Sequence, residues 1–244
     1  MLRSLRRVLA VAVVLVILGM INFGALLFVT PAVGSAHKLV EAQDRAHHAA
    51  YPGPPVPSRF AAALIATEDH RFYSEPGIDP FALGRVGLAR LTGGGDQGGA
   101  TISQQLAKLL YTPTNSGFDA KVEQVVLAVK LNATYRKAQI IQMYADVAYF
   151  GHGFYGLAAA SCGYYGETPA TLSWAQAAML AGLVQAPSAD DPLTHPARAR
   201  AREAHVLGRL VATHKLTSAE AASALGEPPL RLVARAGRSC GNSR

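Results

Sequence analysis

The sequence predicts an all-α protein with an N-terminal membrane anchor. Three observations support this fold class. Helical periodicity continues almost without interruption from residue 58 onward, no stretch shows the apolar-polar alternation typical of strands, and one long run near the start carries no charge. With 244 residues, half of them hydrophobic, the chain is long enough for one domain of about 200 residues plus a separate N-terminal segment.

The uncharged run covers residues 8–29 and exceeds the roughly 20 residues that a helix needs to cross a bilayer. Three of the first seven residues are arginine, which predicts a cytoplasmic N-terminus, a single span and an extracytoplasmic domain. The segment "VGSA" at 33–36 leaves signal-peptide cleavage open as an alternative. These arginines contribute to the net charge of +7, so that charge is weak support for an anionic ligand. No basic run with interleaved aromatic residues predicts nucleic-acid binding.

The remaining elements follow in order. We divide the chain into a cytoplasmic N-terminus and anchor (1–36), a stem and Pro-rich linker (37–57), a helical domain (58–228) and a basic tail (229–244). The stem reads as a polar helix over 37–48, and "YPGPPVP" at 51–57 cannot form a helix or a central strand. The helices predicted in the domain are 58–72 (with Ser58 as N-cap), 80–91, 101–110, 118–134, 136–148, 157–165, 173–184, 197–213 and 217–225. Between Cys162 and Cys240, a disulfide and a buried free thiol at Cys162 are both open.

The stretch "ATEDHRFYSEPGIDP" at 66–80 places adjacent acids, Glu68 and Asp69, at the end of an apolar helical run. Arg71 and Phe72 follow at i+3 and i+4 from Glu68 and share its helix face. Acids are disfavoured at the C-terminal end of a helix by its dipole, which suggests a functional reason for this placement. The alternative is a solvated helix end with a local ion pair.

The stretch "QGGATISQQLAKLLY" at 97–111 places four polar residues on one helix face, at i, i+3, i+4 and i+7: Thr101, Gln104, Gln105 and Lys108. An uncharged polar stripe ending in a cation suits a polar ligand that carries an anion. An ordinary amphipathic helix after a glycine loop is the alternative. A third stretch, 135–167, places glycines among aromatic residues, which permits close approach of the backbone.

Together these stretches resemble, in order and spacing, the family 51 glycosyltransferases, the peptidoglycan transglycosylase domain of class A penicillin-binding proteins and of monofunctional transglycosylases. The first stretch resembles the motif Glu-Asp-x-x-Phe-x-x-His-x-Gly and the second resembles Gly-Ser-Thr-Ile-Thr-Gln-Gln-Leu-x-Lys-Asn. The matching positions are Glu68, Asp69, Phe72 and Gly77, then Gly99, Thr101, Ile102, Gln104, Gln105 and Lys108, and finally Tyr144, Gly151, Gly153 and Gly156. The resemblance covers about 57–225.

The resemblance implies a lysozyme-like helical fold and a reaction in cell wall biogenesis that maintains cell shape. The 4-hydroxyl of a lipid-linked disaccharide attacks the anomeric carbon of a growing glycan strand, and a polyprenyl pyrophosphate leaves. Glu68 is then the candidate general base. Arg71, Arg85 and Lys108 are the candidate cations for the pyrophosphate. The remaining candidates for substrate binding are Asp69, Phe72, Thr101, Gln104, Gln105 and Lys121.

The chain also departs from the family pattern. The motif-one histidine is Glu75, the motif-two serine is Ala100, and Asp146 stands where the family has asparagine. The second family glutamate falls on Gln124, the other candidate catalytic position, while Glu123 lies one residue away, about 100° round the helix. The acceptor side therefore looks intact and the donor side eroded.

Three functions remain open: an active transglycosylase, a degenerate member that binds lipid-linked glycan without polymerising it, and a lysozyme-like hydrolase, which would need a second acid. We expect no cross-linking domain in this chain, so a separate transpeptidase is an expected partner. The histidines and cysteines show no metal-ligand spacing, and no cofactor is expected. A divalent cation at the pyrophosphate is allowed only by analogy with the family.

Overall fold

The computed structural model describes residues 2–80 and 99–227, apart from some side chains of the first helix. In chain order the helices are α1 (Leu2–Val29), α2 (Ala36–Ala46), α3 (Ser58–Glu68), α4 (Ile102–Tyr111), α5 (Phe118–Thr134), α6 (Lys137–Val147), α7 (Leu157–Tyr165), α8 (Trp174–Leu183), α9 (Pro196–Ala212) and α10 (Ser218–Leu225), with a 3₁₀ turn at Pro169–Thr171. The only extended pairing in the described residues is an isolated bridge between Tyr149 and Tyr155. The all-α class is therefore confirmed for this part of the chain.

Most helix boundaries agree with the sequence prediction within two residues, and α5 and α7 agree at both ends. The exception is α3, which ends at Glu68 and not at residue 72, because Asp69 leaves the helical conformation and its carboxylate accepts the backbone N–H of Ile102. The predicted Ser58 N-cap is wrong, since the cap residue is Pro57 and no side chain caps the helix. The predicted helix at 80–91 lies outside the described residues except for residue 80. The predicted tail at 229–244 lies wholly outside them.

The core is built around α3, which packs against α8 and α9. Almost every residue of α8 is buried, since its sequence "WAQAAMLAGL" consists mainly of small side chains that allow neighbouring helices to approach closely. At Gly182 a Cβ atom would lie 2.8 Å from the Cγ of Arg202, so a larger residue would push α9 away from α8. This close approach carries the Arg202 side chain toward the end of α3.

The stem helix α2 and the linker pack on α6 and α4. Gln43 donates its side-chain amide to the Leu109 carbonyl at 2.8 Å, and Gln142 accepts the backbone N–H of Val56 at 3.1 Å. The ring of His47 stacks on Tyr155 with 3.5 Å between centroids. The stem is helical, as predicted, and it belongs to the folded unit.

The C-terminal end of helix α1 contacts the domain. The Lys130 ammonium donates to the carbonyls of Thr30 (2.9 Å) and Pro31 (2.7 Å), and the Tyr135 hydroxyl donates to the carbonyl of Val33 (2.8 Å). Large apolar side chains of α1 are exposed, Phe28 at 91%. Among the described positions, none of the helices combines the length and the apolar character required of a bilayer span. The membrane anchor stays a prediction.

Only one of the two cysteines lies in the described residues. Cys162, in α7, is buried and disulfide-bonded, whereas Cys240 lies outside the described part of the chain. The free-thiol alternative for Cys162 is therefore wrong.

Candidate active site

Glu68 is the last residue of α3 and faces α4 and α9. Its side chain is 9% exposed. One carboxylate oxygen, Oε2, accepts the side-chain amide N–H of Gln105 at 2.9 Å, and the other, Oε1, lies 3.3 Å from Nη2 of Arg202. The sequence predicted Glu68 and Gln105 in separate motifs, and the fold brings them into direct contact.

Gln105 is held in the orientation that serves Glu68. The buried Tyr144 hydroxyl donates to Gln105 Oε1 at 2.8 Å, so the amide nitrogen points toward the carboxylate. Burial raises the pKa of Tyr144 and keeps the hydroxyl protonated as a donor. Tyr144 was known to match a family motif, but only the tertiary structure places it in this chain of hydrogen bonds.

Arg202 was missed by the sequence analysis. Its Nε donates to the Gly182 carbonyl at 3.1 Å, which leaves Nη2 directed at Glu68. A signal existed in the sequence, because four basic residues of α9 recur at i, i+4, i+7 and i+11, on one helix face: Arg198, Arg202, His205 and Arg209. Three of these residues, Arg198, Arg202 and His205, line an open depression of about 310 Å³ together with Asp190 and Ala201. This volume is at the lower end for small-molecule sites.

The surroundings of Glu68 act on its pKa in opposite directions. Burial is the largest effect and raises the pKa, and the neighbouring Asp69 adds to it. The Gln105 hydrogen bond and the charge of Arg202 lower it, and the net result is a raised pKa. A carboxylate that is partly desolvated yet still held by donors is suited to accept a proton near neutral pH.

The residues after Glu68 support the site from within. Asp69 is 6% exposed and binds the N-terminus of α4 through the 3.0 Å hydrogen bond from Ile102. Phe72 is fully buried, so in this structure it is closed to a ligand and acts as a core residue. Arg71 lies 3.3 Å from Asp79, and this ion pair turns its guanidinium toward its own loop. Of the predicted substrate contacts in this stretch, Asp69 and Phe72 are closed to a ligand, whereas the side chain of Arg71 is 30% exposed.

Thr101 and Gln104 also have structural partners. Thr101 caps α4 by accepting the Gln104 backbone N–H at 3.1 Å, and the Gln104 side chain accepts the Thr101 backbone N–H at 2.7 Å. The Thr101 hydroxyl donates to the carbonyl of Gly77 at 2.6 Å. Gly77 has a φ of 102°, and a Cβ there would lie 2.5 Å from the Ala128 carbonyl. The predicted polar stripe is thus a capping box whose first two members are buried.

Gln124 lies at the opposite end of α4 from Asp69. Its side-chain amide donates to the Thr112 hydroxyl at 2.8 Å. Gln105, which contacts Glu68, lies seven residues before Thr112, which contacts Gln124. About 10 Å of helix rise therefore separates these two residues of α4. Lys108 and Lys121 are exposed, and each lies about one turn from the Thr112–Gln124 contact. The two lysines are therefore available to an anion at this end.

The other predicted positions contribute less. Arg85 lies outside the described residues. Asp146, at the end of α6, accepts the Gln142 amide at 2.8 Å and faces the stem; burial raises its pKa to about 6.

Within residues 2–80 and 99–227, no three His, Cys, Asp or Glu side chains are grouped to hold a metal ion. The divalent cation at the pyrophosphate stays a prediction.

The chain is similar in sequence to known transglycosylases and penicillin-binding proteins. The profile of the family described as Transglycosylase matches residues 36–211. A protein of Cupriavidus necator named as a transglycosylase is 37% identical over 72% of this chain and 76% of its own length. Penicillin-binding protein 1F of Bacillus subtilis is 36% identical over 70% of this chain and 24% of its own length, so this chain spans about a quarter of it. A crystal structure of penicillin-binding protein 1A from Haemophilus influenzae aligns with 52% of this chain and 16% of its own, at 27% identity and a TM-score of 0.36.

The match of residues 36–211 to the transglycosylase profile, together with the similar transglycosylase and penicillin-binding protein, shows that the chain is a glycosyltransferase. More narrowly, this chain belongs to the transglycosylase family.

Proposed function

We propose that this chain is a peptidoglycan glycosyltransferase that polymerises lipid-linked disaccharide pyrophosphate, with Glu68 as the general base. The observation that carries the proposal is the position of Glu68, whose side chain is 9% exposed and contacts Gln105 and Arg202. Arg202 also lines the open depression on α9. Family membership supplies the reaction class.

The proposed reaction moves one proton, forms one bond and breaks one bond. Glu68 takes the proton of the acceptor 4-hydroxyl, and this oxygen forms a bond to the anomeric carbon of the donor strand. The bond from that carbon to the phosphate oxygen breaks, and the polyprenyl pyrophosphate leaves with the bonding electron pair. Lys108 and Lys121 are the exposed cations that we assign to the departing charge. The spacing of about 10 Å between the Gln105 and Thr112 ends of α4 leaves room for a sugar-phosphate between base and cations.

Gln124 favours a second candidate function, binding without polymerisation. An amide can form hydrogen bonds but cannot carry a charge or titrate. In this chain it donates to the Thr112 hydroxyl, whereas a glutamate would have to accept from it. If a carboxylate is needed there to activate the donor, the chain binds its substrate and builds no strand.

We expect the purified full chain to polymerise lipid-linked disaccharide pyrophosphate, and Gln124→Glu to increase the rate by no more than about tenfold, since Gln still orders Thr112. Strand length on a gel and release of polyprenyl pyrophosphate measure this. A wild type that binds the substrate but forms no product, with activity appearing only in Gln124→Glu, would establish the second candidate. If both proteins bind the substrate and neither polymerises, the proposed function is wrong, and reversion of Glu75 and Asp146 is the next test.

We further propose that α1 anchors the chain in the cell membrane with its domain outside. The uncharged run, the preceding arginines and the exposed apolar side chains of α1 support this. The disulfide of Cys162 agrees with an oxidising compartment. A separate transpeptidase would cross-link the strands.

We expect protease added to intact spheroplasts to digest the domain, because the arginines keep the N-terminus in the cytoplasm. Immunoblotting for an epitope near residue 210 measures the digestion, and a cytoplasmic marker controls for lysis. A domain that is protected until the cells are lysed would contradict this orientation.

A further inference from the structure

The turn after α3 contains a buried carboxyl group without a hydrogen-bond donor. Glu75 is 7% exposed, and neither of its carboxyl oxygens accepts a hydrogen bond from a donor in the described residues. Its carboxyl group lies within hydrogen-bonding reach of Asp69, itself 6% exposed. Because buried polar groups are almost always paired, two adjacent carboxyl groups in this position require an explanation.

The charged groups around Glu75 do not supply a donor to its carboxyl group. Lys137, from α6, donates to the backbone carbonyl of Glu75 at 2.7 Å and lies 4.4 Å above the ring centroid of Phe72. Asp79 faces the pair from the same turn and lies 3.3 Å from Arg71. The carboxyl group of Glu75 therefore faces a carboxyl group, and its nearest ammonium is bound to its own main chain.

A proton bound by one of the two carboxyl groups explains how they can lie side by side. Two carboxyl groups at hydrogen-bonding distance cannot both ionise, so the pair retains one proton. Asp69 is the member that keeps its charge, because its Oδ2 accepts the Ile102 N–H at the N-terminus of α4, where the helix dipole favours an anion. The proton then resides on Glu75.

We infer that Glu75 is a protonated positioning residue that donates a hydrogen bond to Asp69. Asp69 in turn holds the start of α4, and α4 presents Gln105 to Glu68. The effect on catalysis rests on the proposed function; the protonation state of Glu75 does not. Burial and the charge of Asp69 raise the pKa of Glu75 to about 8, which agrees with a neutral side chain at pH 7.

The sign of the pH dependence follows from this shift. The folded chain holds the Glu75 proton up to about pH 8, whereas an unfolded glutamate loses it near the ordinary glutamate pKa of 4.5. The folded state binds more protons across this window, so the contribution of Glu75 to stability decreases as pH rises and is lost above about pH 8. Ionisation there also places two negative charges side by side at the start of α4.

The test compares the full chain in detergent with Glu75→Gln, which keeps a donor and cannot ionise, and with Glu75→Leu, which is similar in size and cannot donate. Glu41→Gln, an exposed glutamate paired with Arg45 on the stem, is the control. Burial also raises the pKa of Asp44 to about 7, so the test uses the spectrum of the wild type minus that of Glu75→Gln at pH 7. This difference should show the carbonyl band of a protonated carboxylic acid, and the wild type minus the control should not. Absence of the band from the first difference overturns the inference whatever the activity.

Two further measurements test the positioning role. Melting temperatures should fall between pH 5 and 8 in the wild type and the control, and less steeply in Glu75→Gln. Turnover in Glu75→Leu should be roughly tenfold below that of Glu75→Gln, the loss expected for a hydrogen bond to a charged group. Equal turnover in the two variants would contradict the positioning role.

If the wild type has no turnover, a carbon-detected NMR titration of Glu68 tests the positioning role of Glu75 without an activity assay. The Gln105 hydrogen bond lowers the pKa of Glu68, so that pKa should rise in Glu75→Leu and stay unchanged in Glu75→Gln. Identical Glu68 titrations in both variants would contradict the inference. Failure of the proposed function is thus distinguished from failure of the assignment of Glu75.

Discussion

Glu68→Gln is expected to reduce glycan polymerisation at least about a hundredfold, the low end of the effect of losing a general base. The amide keeps the shape of the side chain and cannot accept a proton. The loss should appear in kcat and much less in KM, because Gln105 and Arg202 remain in place to hold the site.

Single-turnover polymerisation with lipid-linked disaccharide pyrophosphate measures this effect. Glu41→Gln is the matched control, since this exposed glutamate pairs with Arg45 on the stem, away from the Glu68 contacts. Near wild-type turnover in Glu68→Gln would show that another group takes the proton.

Arg202→Gln is expected to lower turnover at neutral pH by roughly tenfold or more, which corresponds to the loss of a charge-assisted hydrogen bond. The positive charge lowers the pKa of Glu68 against the effect of burial. Without it that pKa rises further, so a larger fraction of Glu68 is protonated and inactive as a base. The rise of activity with pH should therefore move to higher pH.

The pH profile of kcat/KM measures that displacement, and Arg198→Gln is the control. Arg198 lies on the same face of α9 but pairs with Asp190 at 3.0 Å, so its removal should leave the position of the rise unchanged. If Arg202→Gln lowers turnover but leaves the pH at which kcat/KM rises unchanged, Arg202 acts on the structure or on the substrate and not on the pKa of Glu68.

The sequence by itself determined the helical class, nearly all the helix boundaries and the family motifs. These properties depend on local patterns: apolar periodicity, the Pro-rich linker, and capping sequences such as Thr101 with Gln104. The motif resemblance named Glu68 and Gln105 as candidate site residues, but it did not predict that they contact each other.

Only the tertiary structure decided where α3 ends and which side chains surround Glu68. Asp69 leaves the helix because it binds the N-terminus of α4, a partner 33 residues away in the chain. Arg202 reaches Glu68 from 134 residues away, and it can do so because Gly182 lets α9 approach α8. Glu75 faces Asp69 because the turn folds back into the core. Each of these depends on long-range packing, and periodicity along the chain contains no information on the distance between two helices or on the burial of a particular carboxyl group.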